Sequence, residues 1–124
     1  MIPLLAKEYP VLLAESYNGV IVGYAYAGPH KPRAPYNQTV EESVYLYKDC
    51  LGKGIGRQFL TALINAAAAR GFYQMMALIG DSANIASIGL HSAQGFLHIG
   101  RAQEIGFKFG RRLDIVYMQR ALQD

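Results

Sequence analysis

Several kinds of residue are scarce in this chain of 124 residues, and each scarcity excludes a class of protein. Cys50 is the only cysteine, which excludes a disulfide-stapled fold. Charged residues make up only 17% against 52% hydrophobic residues, a balance that excludes a disordered chain. No apolar run reaches the roughly 20 residues of a membrane-spanning helix, and the start does not resemble a signal peptide. We therefore expect one cytoplasmic domain over residues 1–124 with no membrane span.

The formal net charge of +3 is modest, and it indicates a small anionic ligand better than a nucleic acid. Basic residues are scattered, and the only close pairs are Lys31 with Arg33 and Arg111 with Arg112. A nucleic-acid interface needs a broader basic stripe that contacts many phosphates. A few bases beside the N-terminus of a helix are enough to hold a phosphate group.

Alternating strand and helix patterns predict the element order β-β-β-α-β-α-β-β, an α/β or α+β mixture. We expect strands over residues 11–16, 20–27, 39–47, 73–79, 96–107 and 113–121, with helices over 55–70 and 85–94. The dipeptide Asn18-Gly19 predicts a tight hairpin turn in which both residues have positive φ. The proline-rich segment 28–35 predicts an exposed loop that does not continue a strand.

A glycine-rich stretch, Leu-Gly-Lys-Gly-Ile-Gly-Arg at 51–57, lies between a predicted strand and the longer predicted helix. Its glycines allow close approach of backbone amides to a ligand, and the helix N-terminus favours a pyrophosphate. Lys53 is followed by Gly54, where the Walker pattern requires Ser or Thr, and the glycine spacing does not match a dinucleotide fingerprint. Two interpretations stay open at this point: a pyrophosphate site, or a glycine-rich turn without a ligand.

A second motif favours the pyrophosphate site over a glycine-rich turn without a ligand. Residues 84–96 begin with asparagine and continue into a predicted helix that ends in Gly-Phe, one helix and one strand after the glycine loop. Together the two motifs resemble the GNAT family of N-acetyltransferases. Segments 39–45, 84–96 and 106–111 resemble its phosphinothricin and methionine sulfoximine acetyltransferase branch. The resemblance covers nearly the whole chain and implies a mixed, mostly antiparallel twisted sheet flanked by helices, N-terminally shortened relative to the family.

The resemblance also implies a cosubstrate, acetyl-CoA, and an acceptor, the primary amine of a small amino-acid-like molecule. Leu51 departs from the family pattern, which has glutamine or arginine at that position. Backbone capture of the pyrophosphate is expected to survive this change. The residues that the resemblance assigns to acetyl-CoA are Val44, Tyr45, Leu46, Tyr47, Leu51, Gly52, Lys53, Gly54, Ile55, Gly56, Arg57, Asn84 and Ser87.

Two titratable side chains match positions that carry proton transfer in the branch. Glu41 is expected to be the general base for the amine, and His91 the acid for the departing CoA thiolate. The alternatives are an exposed strand carboxylate, or an ion-pair partner of Lys31 or Arg33, for Glu41, and a packed helix histidine for His91. Glu42 is expected to point to the opposite face of its strand and to be the less important glutamate.

Acceptor recognition is assigned by position and charge to Lys31, Arg33 and Tyr36, which lie just before the strand that carries Glu41, and to Phe107 and Lys108 in a later hairpin. The alternatives are ordinary solvated loop charges, core filling or a subunit interface. No metal is expected, because two histidines have no companion ligands at metal spacing: His30 and His98.

Two functions remain open from the sequence. The first is an acetyl-CoA-dependent N-acetyltransferase that transfers the acetyl group directly. The alternative is a CoA-binding or dimerising protein of the same family with little turnover, because the family normally has a further strand and helices before the first hairpin. Exposed sheet edges and the resemblance favour a homodimer, with no nucleic-acid or membrane partner.

Overall fold

The computed structural model describes residues 9–15, 18–30, 37–46, 54–80 and 85–123. Within these ranges the elements follow the predicted order. The strands are β1 (Val11–Glu15), β2 (Ile21–Pro29), β3 (Thr39–Leu46), β4 (Gln74–Ile79), β5 (Leu97–Lys108) and β6 (Arg111–Ala121). The helices are α1 (Ile55–Ala69) and α2 (Ile85–Ala93).

The strands form one sheet in the order β1-β2-β3-β4-β6-β5. Every neighbouring pair is antiparallel except β3 and β4, which are parallel where Thr39–Glu42 faces Gln74–Ala77. A parallel pair needs a crossover connection, and α1 lies in that crossover. This mixed, mostly antiparallel α/β sheet with helices confirms the predicted fold class.

The core lies between one face of the sheet and α1. Phe59 and Leu63 recur at helical spacing and are fully buried, as are Val40, Met75 and Met118 at every second position of the strands. Residues paired across neighbouring strands project to the same side, so these buried strand residues share one face. We call it the helix face, and the reverse side of the sheet the opposite face.

Both helices end in the same way, at the glycines that the sequence indicates. Gly71 has a φ of 86° and Gly95 a φ of 92°, a conformation that glycine adopts without a Cβ penalty. In each case the glycine amide bonds to the carbonyl three residues earlier, and the next amide bonds to the carbonyl five residues earlier. This paired bonding is a Schellman motif, which satisfies the last carbonyls of the helix.

The turn between β1 and β2 differs from the prediction. The first hairpin is present, but β1 and β2 pair only as far as Glu15 and Ile21, and of Asn18 and Gly19 only Gly19 has positive φ. The tight two-residue turn predicted there is therefore wrong. A turn of that kind occurs instead between β5 and β6, where Phe109 has a φ of 55° and Gly110 a φ of 75°. Lys108 pairs with Arg111 directly beside it.

The predicted loop at 28–35 is also corrected at its start. β2 continues through Gly28 to Pro29, which lies opposite Val40 of β3. Proline is tolerated there because it occupies the last position of the strand, and the next amide, that of His30, bonds to the carbonyl of Thr39. Residues 31–35 lie outside the described residues.

Candidate functional site

A cleft opens where β3 and β4 separate. Within the described residues the two strands pair no further than Glu42 and Ala77, although β3 continues to Leu46 and β4 to Ile79. The cleft has a volume of about 710 Å³. The edge of β3 in this gap is open to pairing with an extended ligand. Its lining is Glu42, Ser43, Val44, Tyr45, Leu46, Gly54, Gly56, Arg57, Leu60, Leu78, Ile79, Gly80, Ala86, Ser87, Leu90 and His91.

The N-terminus of α1 forms one end of this cleft. Gly54 precedes the helix with a φ of 77°, and within residues 54–69 no side chain caps the helix and no acidic residue lies in its first turn. Helix N-termini leave amide groups that suit an anion, and the helix dipole adds to this preference. Arg57 lines the cleft on the same turn. This end is therefore suited to a phosphate group.

A buried pair, Glu42 and His91, lies in the wall of the cleft on the helix face. Nε2 of His91 is 2.6 Å from Oε1 of Glu42, and only 7% and 5% of the two side chains are exposed. Nδ1 of His91 donates to the backbone carbonyl of Ser87 at 2.7 Å. The imidazole and Phe96 rings pack in a T-shaped arrangement at 5.0 Å between ring centres. Both nitrogens of His91 are thus engaged.

The surroundings of His91 act on its charge in opposite directions. Burial disfavours the imidazolium, but the hydrogen bond to Glu42, the negative charge of Glu42 and the Ser87 carbonyl together outweigh burial. The pKa of His91 is consequently raised above its ordinary value of 6.5. The protonated form is favoured because the opposite charge lies at hydrogen-bond distance.

Glu41 projects from the opposite face of β3. Its Oε1 accepts a hydrogen bond from Nδ1 of His30 at 2.7 Å, and 34% of its side chain is exposed. Tyr45 shares this face and stacks on Tyr24 and Tyr26 at 4.8 and 6.4 Å between ring centres. The neighbouring Tyr26 and partial burial raise the pKa of Tyr45, so it stays uncharged near neutral pH. The two glutamates therefore face different sides of the sheet, as predicted.

The structure brings together most of the described residues that the resemblance assigned to acetyl-CoA. The cleft is lined by Val44, Tyr45, Leu46, Gly54, Gly56, Arg57 and Ser87, with His91 beside them. Ile55 begins α1 next to this set and packs against the core. Other predicted site residues lie outside the described residues: Lys31, Arg33, Tyr36, Tyr47, Leu51, Gly52, Lys53 and Asn84.

Phe107 and Lys108 are not among the residues that line the cleft. They lie near the end of β5, the edge strand that β4 and β6 separate from β3. The ammonium of Lys108 lies 5.2 Å from the centre of the Phe109 ring, and the guanidinium of Arg112 lies 5.9 Å from that of Phe107. Within one chain this hairpin does not reach the cleft.

Sequence reasoning missed two partners in this region. Glu42 was expected to be the less important glutamate, yet it is buried against His91, and Glu41 pairs with His30, a partner that the sequence reasoning did not name. A signal for the first pair was present, since Glu42 alternates with Val40 and Val44 on an apolar face. A carboxylate on such a face requires a polar partner.

The part of the chain that the structure describes has neither a metal-binding cluster nor a membrane-spanning helix. No group of three or more His, Cys, Asp or Glu side chains there is arranged to hold a metal ion. Neither described helix is both long enough and apolar enough to span a bilayer.

Comparison with known proteins identifies the family. Residues 3–117 match the model of the acetyltransferase (GNAT) domain. The chain belongs to the GNAT family. It is 47% identical over 119 residues to phosphinothricin N-acetyltransferase from Alcaligenes faecalis, covering 96% of the chain and 60% of that protein. It is also 47% identical over 113 residues to an L-methionine sulfoximine/L-methionine sulfone acetyltransferase from Pseudomonas aeruginosa, covering 91% of the chain and 65% of that protein. The resemblance noted in the motifs is confirmed.

A solved structure shows the same fold for this GNAT chain. The phosphinothricin acetyltransferase from Sinorhizobium meliloti, in complex with AcCoA, superimposes with a TM-score of 0.89 at 44% identity. The match covers 93% of this chain and 62% of that one. The chain therefore spans less than two thirds of the length of each of these three proteins.

Proposed function

We propose that this chain is a cytoplasmic, single-domain N-acetyltransferase over residues 1–124. It uses acetyl-CoA to acetylate the primary amine of a small amino-acid-like acceptor of the phosphinothricin, methionine sulfoximine or methionine sulfone type. The observation that carries the proposal is the cleft between β3 and β4, which ends at the N-terminus of α1, where no side chain of residues 54–69 caps the helix. Relatives at 47% identity, named for these acceptors, support the substrate class.

The residues of the cleft suit each part of acetyl-CoA. The first-turn amides of α1 and Arg57 would hold the pyrophosphate. The free edge of β3 at Val44–Leu46 would pair with the amide groups of the pantetheine arm as an added strand. A backbone amide near Leu46 would polarise the thioester carbonyl. The cosubstrate supplies the acetyl group in activated form, as a thioester.

The two faces of β3 divide the proton transfers. Glu41, on the opposite face, accepts a proton from the acceptor ammonium, directly or through a water, and the freed amine attacks the carbonyl carbon. A C–N bond forms and the C–S bond breaks in one transfer, without a covalent enzyme intermediate, and the attacking nitrogen releases its second proton to solvent as it becomes an amide. His91, on the helix face, supplies the proton that the departing thiolate takes up. Acceptor and CoA thus approach from opposite sides of the opening.

Acceptor recognition rests on the loop bases Lys31 and Arg33 with Tyr36, which precede the strand of Glu41. A carboxylate or a tetrahedral phosphorus or sulfur group of the acceptor suits such bases. The position of Phe107 and Lys108 on the far edge strand means that they reach an acceptor site only from a second copy of the chain.

A homodimer is also part of the proposal. β5 is an edge strand and carries large exposed side chains: Leu97 at 71%, Ile99 at 56%, Ile105 at 60% and Phe107 at 69%, with Phe109 at 88% in the following turn. A long apolar strand edge is a template for association with another chain, and soluble proteins normally cover it. In the proposed dimer, a second copy of the chain covers this edge in a symmetric arrangement.

Two measurements test the enzymatic proposal. Acetyl-CoA at saturating concentration is expected to raise the thermal unfolding midpoint, since a ligand that binds only the native state stabilises it. Methionine sulfoximine, methionine sulfone and phosphinothricin are then expected to cause release of free thiol, and their N-acetylated forms serve as the control. Stabilisation without thiol release would leave a CoA-binding protein with no turnover, and the absence of both would contradict the whole proposal.

A further inference from the structure

The hydrogen bonds of His91 fix the number of protons in its pair with Glu42. The backbone carbonyl of Ser87 can only accept, so Nδ1 of His91, 2.7 Å away, carries a hydrogen whatever the charge of the ring. The atoms Nε2 and Oε1 of Glu42 are 2.6 Å apart, and without a proton between them two acceptors would face each other. One proton therefore lies between the ring and the carboxylate.

That single proton also makes the pair electrically neutral. The pair is either imidazolium with carboxylate or imidazole with carboxylic acid, and the net charge is zero in both forms. Loss of the proton would leave one uncompensated negative charge on side chains that are at most 7% exposed, which is costly. Burial would disfavour the charged form of an isolated His91. In the pair, the same burial favours retention of the shared proton, because the pair is neutral only while it holds that proton.

Few other charged groups face the pair. Among the described residues that line the cleft, α1 contributes Arg57, β3 contributes Glu42 and the uncharged Tyr45, and α2 contributes His91 itself. The described part of β4 contributes only Leu78 and Ile79 there. Glu42 is therefore the one described carboxylate in the wall that can set the charge of the ring.

We propose that Glu42 is a positioning residue for acetyl transfer: it fixes the ring of His91 and keeps one shared proton on the buried pair in the cleft wall. This assignment rests on the proposed function, because it deepens the role given there to His91. It departs from the expectation from the sequence that Glu42 is the less important glutamate.

In the reaction the shared proton moves to the sulfur. When the C–S bond breaks, the thiolate takes the proton from the pair and becomes a thiol, which leaves the pair with a charge of −1. The pair regains its proton from solvent through the open cleft before the next turnover. Because this deprotonated state is unfavourable in the buried wall, reprotonation is expected near neutral pH.

The first test uses NMR and requires no turnover. The ring nitrogens of His91, assigned with a His91→Gln variant, are followed by pH titration in the wild type and in Glu42→Gln. We expect Nδ1 to remain protonated from pH 5 to 9 in the wild type, and the pKa of His91 to fall below 6.5 in the variant, because burial then dominates. The matched control is Glu41→Gln, which removes the partner of His30 and is expected to leave the titration of His91 unchanged.

Several outcomes would overturn the assignment. An Nδ1 without a proton in the wild type at neutral pH is one, and it can be observed even when Glu42→Gln does not fold. An unchanged His91 titration in folded Glu42→Gln is another. Glu42→Asp, which keeps the charge on a shorter side chain, is expected to restore part of the shift, and a titration identical to that of Glu42→Gln would contradict a role for the charge.

The second test separates positioning from a structural role through kinetics. Turnover that depends on protonated His91 decreases as the pH rises through the pKa of His91. This decrease forms the alkaline limb of the pH profile of the enzyme. Glu42→Gln is expected to move that limb to lower pH, with a loss at pH 8 about tenfold larger than at pH 6, whereas Glu15→Gln, at the exposed end of β1, leaves the limb in place. An equal loss at both pH values would show that Glu42 only supports the fold. Absence of turnover in the wild type would contradict the proposed function, while the NMR titration still decides the assignment of Glu42.

Discussion

Glu41 and Glu42 are adjacent in the chain, but the pleat of β3 gives them unlike surroundings. Glu42 is enclosed on the helix face with His91, whereas Glu41 is one-third exposed on the opposite face beside His30. A carboxylate that exchanges protons with an incoming ammonium must be accessible to it, and Glu41 meets that requirement. The difference supports distinct roles for two residues of the same chemical type.

We expect Glu41→Gln to reduce turnover at neutral pH by about a hundredfold or more, the usual contribution of a general base. The amide keeps the shape of the side chain but cannot take up the proton. Thiol release at saturating acetyl-CoA measures the loss, and thermal stabilisation by acetyl-CoA is expected to persist. Glu15→Gln, at the exposed end of β1, is the matched control and keeps full turnover. An equal rate for the two variants would remove Glu41 from the mechanism.

The pair on the helix face also predicts a pH dependence of stability. The folded pKa of His91 is raised above 6.5, so its stabilising contribution is complete below pH 6.5 and is lost as pH rises through the folded value. Urea unfolding of the wild type and of His91→Gln at several pH values is expected to show a difference in free energy of unfolding that shrinks as pH rises. His98→Gln, at an exposed position of β5, should parallel the wild type throughout. A constant difference for His91→Gln would contradict the linkage.

At the scale of elements, the local sequence pattern predicts those features that interactions between nearby residues determine. The period of Phe59 and Leu63 and the stop at Gly71 define α1, and the sequence shows both. The contact of Glu42 with His91 joins residues 49 apart, and nothing in either segment alone specifies it. The sequence predicted a turn between the last two strands but not its tight two-residue form, because a bulky residue such as Phe109 rarely has positive φ and strand pairing on both sides imposes it here.

The close packing around Gly23 in β2 leads to a prediction at the scale of elements. A Cβ on Gly23 would clash with the backbone oxygen of Tyr45 and lie 2.8 Å from Cδ2 of Leu46, whereas a Cβ on Gly28 of the same strand has no such atom within 4 Å. Gly23→Ala is expected to cost about 1–3 kcal/mol in the free energy of unfolding, because the neighbouring backbone must move. Gly28→Ala is the matched control and should stay within about 0.5 kcal/mol of the wild type.

The same pair of variants bears on the cleft. Tyr45 and Leu46 line it, so the displacement forced by Gly23→Ala is expected to weaken acetyl-CoA binding as well, which titration calorimetry measures. Gly28→Ala should bind as the wild type does. If both variants unfold at the same urea concentration and bind acetyl-CoA equally, close packing between β2 and the end of β3 does not hold the wall of the cleft in place.

At the scale of the whole molecule, apolar side chains are distributed unevenly. The helix face carries the buried core, while β5, at the edge of the sheet, leaves Leu97, Ile99, Ile105 and Phe107 exposed. The sequence shows these residues as an ordinary strand, because a pattern of apolar residues does not distinguish burial in the core from burial against another chain. Only the strand order places them at an edge.

A dimer through β5 makes the last prediction. Light scattering over a range of concentrations is expected to give the mass of two chains for the wild type, and the mass of one chain for Ile99→Lys and for Ile105→Lys, since a buried lysine opposes association. Val20→Lys is the matched control: Val20 is 58% exposed and precedes β2, close to the opposite edge of the sheet, and the variant should remain dimeric. A wild type that stays monomeric throughout the range would exclude the dimer. Dimers that persist in both β5 variants would place the interface elsewhere, and Phe107 and Lys108 would then have no route to an acceptor site.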